Sequence, residues 1–186
     1  MSYSIHDIRQ IVKGLRVLYP TLEINQVINN IEKAVEEFGV DVQYSNFENE
    51  SDPVSGFLMY EKNKPVIVLN AGESVRRQRF TLAHELGHLI LHWNWLPGEQ
   101  VSDLNEDLFE ISYRNKKDYK KDEMIRENEA DTFAGEFLLP LDSVKDSLKS
   151  VSSDSVIATL MEDFKVSQSC AYVRVNNLLR EGELSE

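Results

Sequence analysis

The sequence predicts an α+β fold, in which a small, mainly antiparallel three-strand sheet packs on helices. Two observations carry that expectation. Apolar residues recur at helical spacing from Ile5 to Phe38, from Ser74 to His92, and again beyond Met124. Between the first two of these stretches lie three short β-prone runs bounded by turn residues. Taken in order, Ile5, Ile8, Ile11, Val12, Leu15 and Leu18 mark a first helix that ends before Pro20. Thr21 can cap a second, with Ile24, Val27, Ile28, Ile31, Val35 and Phe38 on one face and Gly39 as its stop. Strands are expected at Val40–Tyr44, Gly56–Tyr60 and Pro65–Asn70. An acidic loop with Pro53 separates the first two, and Glu61 to Lys64 turns between the last two. One edge of such a sheet can receive an extended peptide by main-chain hydrogen bonds, and the sequence does not say which strand lies there. A helix capped by Ser74 follows. The connection from Trp93 to Asp122 reads equally as a lid over a site and as a solvated link. After a further helix, Asp154 to Leu179 reads as two helices with a turn at Lys165-Val166-Ser167, Ser167 serving as N-cap. The expected organisation is one domain over residues 1–150 and a helical, helix-turn-helix-like appendage over 151–186 packed on it.

The helix after Ser74 contains His84-Glu85-Leu86-Gly87-His88, an H-E-x-x-H sequence, and three of the chain's four histidines fall within it or at its end. Residues four apart share a helix face, so His84 and His88 can hold one metal ion together. Glu85 lies about 100° round the helix from His84, where a carboxylate can act as a general base without ligating the metal. Leu82, Ala83, Leu86, Leu89 and Ile90 fall on the opposite, core-facing side. Gly87 costs a helix roughly 1 kcal/mol against Ala, which suggests that another backbone or a substrate comes close there. The alternative is an ordinary amphipathic helix carrying His and Glu on its solvated side. His92 extends the stripe by one turn, but a straight helix does not easily bring three such histidines to one ion. It reads as a satisfied helix-end histidine or as a residue of the cleft rim.

A catalytic zinc site usually has three protein ligands and an open position. In the segment from Glu127 to Leu138, the apolar face holds Met124, Ala130, Phe133, Ala134, Phe137 and Leu138, and Glu127 and Asp131 point into it. A carboxylate is rarely placed on a buried face unless it is paired or binds a metal. Glu127 is therefore the expected third ligand. Asp131, one turn on, can accept the second N–H of a ligating histidine. Glu129 and Glu136 are expected to point away from this face, Glu129 as a solvated charge. The competing expectation pairs Glu127 and Asp131 with Arg76, Arg77 or Arg79.

Two blocks, Arg79-Phe80-Thr81-Leu82-Ala83-His84-Glu85-Leu86-Gly87-His88 and the run from Glu127 to Pro140, resemble the ImmA/IrrE metallopeptidases, a gluzincin-like group. The resemblance extends more weakly over roughly Val40 to Leu179. It implies a zincin-like fold, one zinc held by His84, His88 and Glu127, and Glu85 as base. It also implies a protein substrate, since members of this group typically inactivate helix-turn-helix repressors by cleavage. The 93–122 segment departs from the family pattern and bears on specificity more than on chemistry. Candidates for stabilising the oxyanion, or for lining the cleft, are His92, Tyr113, Tyr119 and Tyr172, and the sequence does not choose among them.

Twenty basic residues against 32 acidic ones give a net charge of −12. Such a surface repels nucleic acid and anionic membrane. The competing function, a DNA-binding or protein-binding regulatory module with a structural zinc and no peptidase activity, meets the same obstacle locally. From residue 161 onward, Lys165, Arg174 and Arg180 face Glu162, Asp163, Glu181, Glu183 and Glu186, whereas a recognition helix needs basic and amide residues. A catalytically dead binding module is a third class, against which the presence of Glu85 counts. Cys170 is the single cysteine, which points to a reducing compartment. With no apolar leader or membrane-length run, the expected location is the cytoplasm.

Overall fold

The computed structural model describes residues 2–47, 54–61, 64–98, 110–113 and 120–184. Helix α1 (Ile5–Leu18) starts on a capping box between Ser4 and Asp7 and buries Ile8, Val12 and Leu15. The second expected helix is broken. A 3₁₀ turn at Pro20–Leu22 leads into α2 (Ile24–Asn29) and then α3 (Ile31–Phe38). The break falls at Asn30, which leaves helical geometry with φ −156° and caps the new helix by accepting from the Lys33 N–H. The apolar periodicity runs through this point because both short helices bury the same side, Val27 on one and Ile31, Val35 and Phe38 on the other.

Strands β1 (Asp41–Ser45), β2 (Val54–Glu61) and β3 (Lys64–Asn70) lie within one or two residues of their expected positions. The sheet differs from expectation in one respect. It has four strands among the described residues, in the order β1-β3-β2-β4, because β4 (Glu110–Tyr113) pairs antiparallel with β2. That strand comes from the segment read as a loop, whose mixed charge hides any alternation. β1 runs parallel to β3 and the other two pairings are antiparallel. Among the described residues the two edges are thus β1 and β4.

Helix α4 (Val75–Leu91) lies on β2 and β3, with the Ser74 side chain accepting from the Arg77 N–H as N-cap. At Gly56 of β2 a Cβ would stand 2.7 Å from Thr81 Cγ2 and 2.8 Å from the Val68 carbonyl, so only glycine lets the helix settle this close. Of the connection past α4, residues 99–109 and 114–119 lie outside the described residues, but its start is not solvated throughout. Trp93 and Trp95 are buried, and Trp95 meets Phe38 edge-to-face at 5.8 Å. Helix α5 (Lys121–Leu138) packs along α4, with α1 on its other flank. Helices α6 (Leu141–Leu148), α7 (Val156–Asp163) and α8 (Gln168–Arg180) complete the described chain, α8 being capped by Ser167 as expected. No described helix is long and apolar enough to cross a membrane.

Candidate metal centre

Two helices in contact build the site. α4 presents His84 and His88 from successive turns, and α5 presents Glu127 opposite them. Their ligand atoms all lie within 4.8 Å of one another, and all three residues are buried. His84 Nε2 and His88 Nε2 are 3.0 Å apart. Glu127 stands 3.2 Å from His88 Nε2 through Oε1 and 3.6 Å from His84 Nε2 through Oε2. Glu85, between the histidines, is fully buried, so this face of α4 is not an ordinary solvated one.

Gly87 has a definite neighbour. A Cβ there would come within 3.1 Å of the Cβ and Cδ1 atoms of Phe133 on α5. The close approach anticipated at this glycine is made here by the Phe133 side chain, which packs between the two helices that carry the cluster.

His84 Nδ1 lies 2.9 Å from Asp131 Oδ1. A carboxylate only accepts, so the neutral ring carries its proton on Nδ1 and turns the Nε2 lone pair towards His88 and Glu127. Of the arginines considered as alternative partners, Arg79 donates to the Val27 carbonyl and Arg77 lies beside Glu73 and Ser55.

Two carboxylates depart from expectation. Glu129 is 5% exposed, not solvated. Its Oε2 faces His92 Nε2 at 3.0 Å, and its Oε1 accepts from the Tyr3 N–H and the Ser2 hydroxyl. Burial alone pushes this carboxyl up, but those three contacts more than offset it and hold the group below the usual carboxylate range. Glu136 is 1% exposed and accepts from Arg9 and Arg174. Both lie off the apolar stripe of α5, as the helical wheel has them. The wheel could not show that α1 and α8 would cover that side.

His92 forms the C-cap of α4, with Nδ1 3.0 Å from His88 Nδ1 and Nε2 on Glu129, and so is a satisfied helix-end histidine. Tyr172 is 60% exposed on α8. The side chains of Tyr113 and Tyr119 lie outside the described residues. A cleft of about 510 Å³ opens beside the site, its walls including Arg77, Phe80, Asn128, Asp131, Cys170 and Val173. The ring of Phe80 is 6.3 Å from that of His84, and Asp131 belongs both to the wall and to the histidine contact. Burial pushes the Cys170 thiol up to about 12, so this wall offers no thiolate nucleophile near neutral pH.

The donor set fits a divalent ion. Two imidazole nitrogens and a carboxylate crowd one buried point, and lone pairs brought this close repel unless a cation lies between them. Two histidines and a glutamate are a known ligand set for catalytic zinc.

Comparison with known proteins agrees with this arrangement. Residues 35–176 match the family model of the IrrE N-terminal-like domain, peptidase M78. No curated protein matches the chain. A solved structure of a Mycobacterium tuberculosis transcriptional regulator is similar, with a TM-score of 0.55 at 17% identity over 91% of this chain. The match spans 46% of that longer chain, and the likeness is one of fold.

Proposed function

The chain belongs to the IrrE N-terminal-like, peptidase M78 family, and from that premise we propose that it is a zinc-dependent endopeptidase that cleaves a regulatory protein such as a helix-turn-helix repressor. The observation that carries this reading is the buried cluster of His84, His88 and Glu127, with Glu85 in the same helical turn. In this reading the frame is zincin-like, α4 and α5 flanking one ion. His84, His88 and Glu127 hold the ion, and Asp131 keeps His84 in the ligating tautomer. A bound zinc supplies Lewis-acid polarisation of the scissile carbonyl and acidifies a water, to a pKa of ~7 in sites of this type. Glu85 takes the proton from the attacking water and returns it to the departing amine. Its burial excludes competing solvent from that transfer. The peptide approaches by the cleft between Phe80 on α4, Asn128 and Asp131 on α5, and Val173 on α8. Residues 151–186 act as a helical appendage whose α8 forms one wall of that cleft, which makes it a docking element for substrate.

The test is cleavage. Zinc-loaded protein mixed with a helix-turn-helix repressor should cut it at one or a few sites, and Glu85→Gln or chelation should abolish the cut. In parallel, the chain should show no salt-dependent affinity for duplex DNA, since real phosphate contacts appear as a negative slope of log K against log salt. Steep salt dependence without cleavage would replace the peptidase reading with the regulatory module.

A further inference from the structure

His88 is held by a chain of contacts that peptide hydrolysis as described does not use. Its Nδ1 lies 3.0 Å from His92 Nδ1, and His92 Nε2 lies 3.0 Å from Glu129 Oε2. The other oxygen of Glu129 accepts from the Tyr3 backbone N–H at 2.6 Å and from Ser2 Oγ at 2.8 Å. The His88 side chain is fully buried, and those of His92 and Glu129 are only 6% and 7% exposed, so bulk water does not compete for these contacts.

The donors along this chain have a polarity. A carboxylate only accepts, so neutral His92 presents Nε2–H to Glu129 and keeps a lone pair on Nδ1. His88 must then donate through Nδ1–H, which leaves its Nε2 lone pair on the side of Glu127 and His84. His84 receives the same instruction directly from Asp131. For His88 the carboxylate stands one imidazole further back.

We propose that Glu129 and His92 are a positioning pair for His88, fixing its tautomer and ring orientation for the metal, with the Ser2–Tyr3 segment as the anchor that aims Glu129. The inference rests on the metal-site reading above. Partners of this kind beyond the ligands orient them and typically govern metal affinity by ~10–100-fold.

Glu129→Gln is the discriminating variant because it inverts the chain at equal size. The Tyr3 N–H still requires an acceptor, so the amide oxygen stays there and the NH2 turns to His92 Nε2. His92 must then accept at Nε2 and carry its proton on Nδ1. That forces His88 to accept at Nδ1 and to lose the Nε2 lone pair. Zinc affinity, read by competition with a chromophoric chelator, should fall ~10–100-fold. The visible spectrum of the Co²⁺-loaded protein should change, while the thermal midpoint of metal-free protein stays near that of the wild type. His92→Phe, which removes the acceptor and keeps an aromatic ring, should do the same. Imidazole ¹⁵N spectra of the zinc-loaded wild type decide the matter without any variant. They should show His92 protonated at Nε2 and not at Nδ1, and His88 protonated at Nδ1. Wild-type zinc affinity and cobalt spectra in both variants, or the opposite His92 tautomer, overturn the positioning pair and leave the metal site standing. Failure of the wild type itself to bind zinc overturns both.

Discussion

Which ring nitrogen carries the proton decides what His84 and His88 can do, and carboxylates make that choice from α5. Asp131 acts on His84 directly, and Glu127 enters the cluster itself. The neighbouring carboxylate Glu85 sits on α4 between the two histidines. Glu85→Gln should therefore retain stoichiometric zinc by elemental analysis and lose peptidase activity. Glu127→Ala should lose zinc affinity itself. Equal metal loss in the two variants would mean that base and ligand are misassigned. The residues of this cluster were legible in the sequence, since H-E-x-x-H fixes its own spacing on any helix and a carboxylate on an apolar stripe demands a partner. The burial of Glu129 was not. Its partners come from Ser2, Tyr3 and His92, up to 127 positions away in the chain. A helical wheel records only the helix on which a residue sits.

Two helices carry the cluster, so their separation is a property of the site. Phe133 fills the notch at Gly87, where an added methyl group would have to move the ring by a few tenths of an ångström. Gly87→Ala gains helix propensity but forces α4 and α5 apart, and overpacking of this kind costs about 1–3 kcal/mol. The expected outcome is a lower thermal midpoint together with weaker zinc binding. A midpoint at or above the wild type, with unchanged affinity, would show that Phe133 gives way freely. Elements with strong local signals were legible at this scale. α1 and the cap of α4 stand where periodicity and Ser74 put them. The break at Asn30 was not visible, because α2 and α3 bury the same side and the apolar period continues across it. Nor was β4, since its pairing depends on β2, more than fifty residues earlier in the chain.

The whole molecule is fastened at Glu136. Its carboxylate takes Arg9 from α1 and Arg174 from α8, and Arg174 also donates to the Leu139 carbonyl. Arg9 reaches on to Glu181 and Glu183. All three central side chains are buried, so removing the acid leaves buried Arg174 without its carboxylate while Arg9 keeps Glu181 and Glu183, a loss of about 3–5 kcal/mol for the broken buried Arg174 pair. Glu136→Ala should shift the urea midpoint accordingly. A shift under about 1 kcal/mol would mean that the arginines find water or other acceptors. This clamp also imposes an order in time. Arg9 and Glu183 are 174 residues apart, and Arg9 in turn bears on the helix that carries Glu127 through Glu136. A chain emerging from the ribosome completes α4 and α5 well before residue 183 is made. Contacts of such separation close late, after the loop entropy between them has been overcome. Glu183 is translated 56 positions after Glu127 and 99 after His84, so the clamp around Glu136 closes only once every residue of the His84–His88–Glu127 cluster is already in the chain.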